Sequence, residues 1–150
     1  REVSATHVPG KARFHLLSGS LEKGGLEAFE KRIRASVTRL PQVVLMHRML
    51  YAPWLMRHLS GWYTSAEILH PERDGILRVL QDSEKSFLVL CGHSHTKHRA
   101  RRENVQLFCT SSLVEYPHEL RVIKLQGANI RNKVYELNDF QVVGTEKGVD

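Results

Sequence analysis

Between residues 21 and 40, apolar side chains recur at Leu26, Phe29, Ile33, Val37 and Leu40, spacings of three and four that line up one face of an α-helix. Gly24 and Gly25 delay its start and Pro41 ends it. The pattern then changes to Val43-Val44-Leu45-Met46, a run without polar interruption that marks a strand covered on both faces, and the run ends in His47. Ile76, Leu77, Val79 and Leu80 form a second stripe, which predicts a helix over 72–83. Phe87-Leu88-Val89-Leu90 repeats the uninterrupted run and predicts an interior strand over 86–91. Further on, Val105, Leu107 and Cys109 alternate with Gln106 and Phe108, and 120–125 and 133–137 are β-rich runs joined through Gly127-Ala128-Asn129. These last three are expected to be antiparallel and to build a second sheet. Residues 1–20 read as irregular, broken by Pro9, Gly10 and Gly19, with 13–17 as a candidate strand.

Both uninterrupted runs deliver histidine. The first ends at His47, and the second leads into Cys91-Gly92-His93-Ser94-His95. In an extended segment residues i and i+2 project to one side, so His93 and His95 are expected to converge just beyond a buried strand, with Gly92 allowing the chain to turn. Ligands of open α/β sheets gather where strands end. Two adjacent strands separated by a helix-sized connection therefore predict a cluster of three imidazoles, which are common metal ligands when neutral. His7, His15, His58, His70 and His98 have no partner spacing and are assigned surface or hydrogen-bonded roles. The segment from Arg48 to Tyr63 holds both tryptophans, Trp54 and Trp62, and reads either as a rim over the site or as a cluster packed under a long loop.

An apolar strand ending in histidine, a helical crossover, and an apolar strand leading into Gly92-His93-Ser94-His95 resemble the last two motifs of the calcineurin-like metallophosphoesterase superfamily. The resemblance runs from about Leu21 to about Leu137. It implies an α/β (α+β) fold, the C-terminal half of a four-layer αββα sandwich with a mixed sheet flanked by helices. It also implies hydrolysis of a phosphoester at two divalent transition metals, Mn, Fe or Zn, with His47 and His93 on one metal and His95 on the other. Glu115, Tyr116 and His118 become candidate substrate or ligand-orienting residues, because the family's next strand returns toward the site. The family's Asp-x-His, Gly-Asp-x-x-Asp and Gly-Asn-His motifs do not occur, no Asp precedes Asp74, and the first residue is Arg1. Residues 1–150 are therefore expected to be a single domain that is a C-terminal fragment of a longer enzyme and inactive alone, with no catalytic residue assigned within it.

At 150 residues and 41% hydrophobic content the chain can bury one core. Its 22 basic and 16 acidic residues give a formal charge of +6 and a pI near 9.6. The densest basic run, Lys97 to Arg102, directly follows the histidine motif. It reads either as a solvated hairpin turn or as a patch that concentrates anions over the site, and the second reading makes Arg99 a candidate substrate contact. A basic balance also admits nucleic acid, but no stacking aromatic accompanies this run, so a phosphoester is the favoured partner. No apolar stretch approaches the roughly 20 residues of a membrane span. Cys91 and Cys109 sit in apolar strands and read as buried free thiols, pointing to a reducing, cytoplasmic setting. Nothing in the sequence sets an oligomeric state. A non-catalytic metal-binding or interaction domain derived from the same fold is the second reading.

Overall fold

In the structure, a computed structural model that describes residues 5–8, 12–17, 21–36, 40–51, 69–114, 117–126, 129–138 and 141–147, the apolar runs become strands and the striped segments helices. In chain order the elements are β1 (Ala5–Val8), β2 (Ala12–Leu17), α1 (Gly25–Ala35), β3 (Gln42–Met46), α2 (Arg73–Gln81), β4 (Phe87–Cys91), β5 (His98–Arg102), β6 (Val105–Cys109), β7 (Glu119–Gln126), β8 (Asn129–Asn138) and β9 (Gln141–Lys147). A mixed six-stranded sheet has the order β1-β2-β3-β4-β6-β5. Its four inner strands are parallel, and β1 and β5 run antiparallel at the two edges. The strands β7, β8 and β9 form a separate antiparallel sheet.

Strict alternation within the apolar runs divides the core in two. Val44, Met46, Phe87, Val89, Cys91, Val105, Leu107 and Cys109 face Phe29 and Ile33 of α1 and Ile76 and Leu80 of α2. Their neighbours Val43, Leu88 and Phe108 face the other way, where Ile123, Leu125 and Ile130 of the second sheet cover them. The described residues thus form three layers, helices on the large sheet and the large sheet on the small one. This is the α/β arrangement expected, with three of the four expected layers among the described residues.

Several elements differ from the reading of the sequence. The strand β6 belongs to the large sheet, parallel to β4, and not to the antiparallel second sheet. The reason is burial on both faces: Leu107 and Phe108 point in opposite directions and are both buried, so Gln106 alone had suggested a half-exposed strand. The basic run is not a turn but the edge strand β5, joined to β6 through the two-residue turn Glu103-Asn104. Arginines on an edge strand discourage pairing with other chains. The candidate strand at 13–17 is present as β2, but residues 5–8 form a strand paired with it, α1 stops well short of Pro41, and β9 has no counterpart in the sequence reading. Beyond Tyr51 the tryptophan-containing segment lies outside the described residues, but Met49, Leu50 and Tyr51 are buried in the helix-side core.

Polar side chains fasten the layers where backbone pairing stops. The Asn104 side-chain amide donates to the carbonyls of Leu80 (2.8 Å), Ser83 (2.6 Å) and Lys85 (2.8 Å), closing the end of α2 onto the β5–β6 turn. Lys85 donates its ammonium to the Ile33 carbonyl near the end of α1. Within the sheet, His15 is fully buried, with Nε2 3.0 Å from Gln42 Oε1 and its ring edge-on to Phe29. Burial, followed by the charges of Arg13, Arg32 and Lys85, holds the His15 pKa below its ordinary value, while the Gln42 hydrogen bond opposes the shift.

Two measurements test these contacts. Asn104→Ala leaves partly buried carbonyls without their donor and should cost about 1–3 kcal/mol, seen as a lower urea midpoint at unchanged slope. A midpoint indistinguishable from the parent would show that water replaces the amide. The second concerns acid. A histidine whose native pKa is depressed favours the native state fully above the unfolded value of about 6.5, and that stability is lost as pH falls below it. His47 and His98 are shifted the same way, so the acid limb is shared. His15→Gln keeps a hydrogen-bonding amide but cannot titrate, and should make the stability loss below about pH 6.5 shallower. An unchanged slope would remove His15 from the account.

Candidate metal centre at the sheet edge

Because β2, β3, β4 and β6 are parallel, their C-terminal ends share one edge. Two ladders continue one step past the strands there: the Gly92 N–H donates to the His47 carbonyl and the Thr110 N–H to the Cys91 carbonyl, both at 3.1 Å. The first of these sets the two histidine segments side by side. Nδ1 of His93 lies 2.8 Å from Nε2 of His47, and the ring centroids are 4.6 Å apart with planes inclined at 66°. Partial burial, then the charges of His93, Arg48 and His95, keep the His47 pKa below its usual value, so the neutral, ligating form prevails at neutral pH.

The Gly-His-x-His loop is not extended as the i, i+2 argument assumed. His93 and His95 both have left-handed backbone, with φ of 61° and 50°. Between them, the Ser94 N–H donates to the Gly92 carbonyl at 2.8 Å. The Ser94 hydroxyl points inward, 2.8 Å from Thr96 Oγ1, 3.5 Å from Cys109 Sγ and 3.8 Å from Met49 Sδ. That inward anchor turns the loop so that His93 meets His47, while His95 is more exposed and acts on His47 through its charge.

Beneath the loop, Cys91 and Cys109 are buried free thiols at register-paired strand positions, donating to the Phe108 and Gly92 carbonyls at 3.6 and 3.2 Å. The neighbouring Cys109 thiol, then burial, push the Cys91 thiol up. Cys91 pulls Cys109 down against its burial, helped by the Ser94 hydroxyl, Arg121 and His95. Beside them is Glu119, a buried carboxylate that opens β7 and that the sequence reading passed over. It accepts from Lys97 Nζ at 2.6 Å and from the Ser111 hydroxyl. Lys97 also lies 3.4 Å from Glu136. Burial raises the Glu119 pKa, but the hydrogen bonds from Lys97 and Ser111 and the charges of Lys97 and Arg121 outweigh it, so the carboxyl stays below its ordinary value. Its sequence signal was an acid opening the apolar stretch Glu119-Leu120-Arg121-Val122-Ile123. Arg121 itself donates to Thr110 (2.9 Å), Asn132 (3.0 Å) and the Cys109 carbonyl (3.3 Å), joining the two sheets.

The remaining candidates divide. Arg99 stacks its guanidinium over Phe108, 5.8 Å from the ring centre, on the face toward the second sheet. His118 has a left-handed φ of 52° and its Nδ1 is 3.1 Å from the Leu113 carbonyl, so it closes the 113–118 loop. Glu115 and Tyr116 lie outside the described residues. His15 and His70 are buried, His70 beside Glu72 at 3.0 Å, as their hydrogen-bonded assignment required.

Two ring nitrogens facing each other across 2.8 Å share one proton, and the same two lone pairs could ligate a cation once the rings part to admit metal–nitrogen bonds of about 2.0–2.1 Å. His47 and His93 therefore fit a metal. Among the described residues no third His, Cys, Asp or Glu converges with them into a larger group, so His95 is near this pair without completing it.

No family model matches the sequence, and no curated protein matches it. Among solved structures, a dimetal phosphatase from Danio rerio aligns over 85% of this chain and 35% of its own, with 13% identity and a TM-score of 0.52. GAP50, described as the anchor in the inner membrane complex of Plasmodium, aligns over 97% of this chain and 48% of its own, with 14% identity and a TM-score of 0.52. The chain spans about a third to a half of the length of these two structures. The shared fold is that of the calcineurin-like metallophosphoesterases, in agreement with the motifs that resemble that superfamily.

A carboxyl with a depressed native pKa contributes stability that is complete above the unfolded value of about 4.3 and lost as pH falls through the native one. Glu119→Gln removes the charge-assisted bonds and should destabilise the chain by about 1.5–3 kcal/mol at pH 7, with a smaller difference from the parent in acid. A constant difference from about pH 7 down to about pH 3 would contradict an ionised Glu119.

Proposed function

We propose that this chain supplies the histidine half of a metal-dependent phosphoester hydrolase. The observation carrying this reading is the contact between His47 and His93, delivered by the ends of two adjacent parallel strands. His47 and His93 would hold one divalent transition metal, and His95, close by on the same loop, is available to a second. Such metals, when bound, activate water and neutralise charge on a phosphoryl group. The residues of this chain contribute neutral ligands and a fixed loop: Gly92 pairs with the His47 backbone, Ser94 anchors the turn, and Lys97 ties it to Glu119. The carboxylate and asparagine motifs of the superfamily do not occur in the sequence. Residues 1–150 are accordingly proposed to be one domain that is a C-terminal portion of the hydrolase, with a phosphoester as partner and Mn, Fe or Zn as metals.

A second reading is a metal-binding or interaction domain without catalysis. It is favoured by the absence of a three-ligand group among the described residues, and by a structural neighbour described as an anchor.

Zinc and manganese titrations followed by calorimetry separate these outcomes. The parent chain should bind, and His93→Ala and His47→Ala should each weaken binding by about 10- to 100-fold or more. Unchanged affinity in His93→Ala would end the metal assignment. With manganese the 150 residues alone should not turn over an aryl phosphodiester, because three imidazoles cannot form a bridged two-metal site. Turnover abolished by His95→Ala would show instead that the chain is a complete enzyme.

A further inference from the structure

Cys91 and Cys109 end neighbouring parallel strands and are register partners. Both side chains lie on the helix side of the sheet. Neighbouring strands lie about 4.8 Å apart, and a disulfide spans Cα separations of about 4.4–6.8 Å. The pair is also tied to the histidine loop. Cys109 Sγ is 3.2 Å from the Gly92 carbonyl and 3.5 Å from the Ser94 hydroxyl, while Cys91 Sγ is 3.6 Å from the Phe108 carbonyl. Nothing lies within 4 Å of where a Cβ on Gly92 would stand, so that side of the loop's start is not packed against other residues.

We propose that Cys91 and Cys109 form a reversible disulfide, with a low-molecular-weight disulfide as oxidant, and that its formation releases the loop carrying His93 and His95. When the loop above it opens transiently, the Cys109 sulfur attacks the oxidant, giving a mixed disulfide and one small thiol that leaves with the Cys109 proton. The Cys91 sulfur then attacks the Cys109 sulfur, forming the intramolecular S–S bond and expelling the second small thiol with the Cys91 proton. Two protein thiols are oxidised by two electrons and the oxidant is reduced by two. Forming the bond turns Cys109 Sγ toward Cys91 and away from Gly92 and Ser94. Ser94 then loses part of its inward anchor, and the left-handed backbone at His93 and His95 loses what sustains it. The disulfide is independent of the phosphoesterase reading, and only its consequence for a bound metal rests on that reading.

To test this, the full chain is equilibrated without denaturant in glutathione buffers from reducing to oxidising, then unfolded in guanidinium containing excess N-ethylmaleimide and weighed intact. The expected product is a monomer in which both maleimide adducts disappear together, restored by dithiothreitol. Cys91→Ser and Cys109→Ser should each abolish that paired loss. If a serine variant misfolds, the paired loss in the parent still decides. Two glutathione adducts, or two alkylated thiols in the most oxidising buffer, would overturn the disulfide. Amide exchange across 92–97 should rise by about tenfold or more on oxidation while β3 stays protected. A disulfide formed with unchanged exchange would overturn the release. Neither readout involves a metal, so their failure counts against this inference whatever the zinc titration gives.

Discussion

The Gly92 N–H donates to the His47 carbonyl two residues beyond the last strand pair, Leu45 with Leu90. Everything at the sheet edge depends on that bond being in register. In a parallel pair, a slip of one residue moves a chain end by about 3.3 Å and exchanges the faces of all its side chains. Here both faces are buried, but against different partners: Val44 and Met46 fit beneath helices, and Val43 fits against the second sheet. Covering both faces therefore fixes the register as firmly as amphipathic alternation would. The contact between His47 and His93 follows from packing at a distance.

That register also imposes strain. Among the described residues, His93, His95, Glu103 and His118 are the non-glycine residues with positive φ, and three of them lie at the histidine edge or in the adjoining 113–118 loop. Each left-handed residue costs roughly 1–2 kcal/mol, so the loop must be held from several sides. Ser94 holds it from below through Cys109 and Met49, and Lys97 holds its exit through Glu119 and Ser111. The Glu119 side chain is fully covered and that of Lys97 nearly half exposed. The buried partner is the one whose loss is costly, because an exposed ammonium can turn to water while a buried serine donor cannot.

The central architecture was legible because β3 and β4 carry uninterrupted apolar runs with a helix-sized segment between them, a pattern with few physical solutions. His47 and the Gly-His-x-His motif were legible for the same reason, since a parallel arrangement sends both strand ends to one edge. The strand β6 was misplaced because a single polar residue, Gln106, imitated the alternation of a half-exposed strand. The loop conformation was out of reach. Extended and left-handed backbones at His93 and His95 differ by hydrogen bonds from Ser94 to residues 15 and 45 positions away, Cys109 and Met49, and no local pattern encodes these. Glu119 was missed for a related reason: its partners Lys97 and Ser111 meet it only once the second sheet has packed on the first.

Charge is the feature that sequence and structure weigh most differently. The run from Lys97 to Arg102 reads as a concentrated cationic patch, but a strand with a period of two disperses it. Arg99 goes to the face shared with the second sheet, where it stacks on Phe108, while Arg102 goes to the helix side and stacks on Tyr51 at 4.6 Å. Lys97, the member nearest the histidines in sequence, is matched by Glu119 and Glu136. The cations of β5 therefore serve to pack against aromatic faces and to keep a sheet edge from pairing. Among the cations it is Arg48, next to His47 in the chain, whose charge acts on that histidine and helps to lower its pKa.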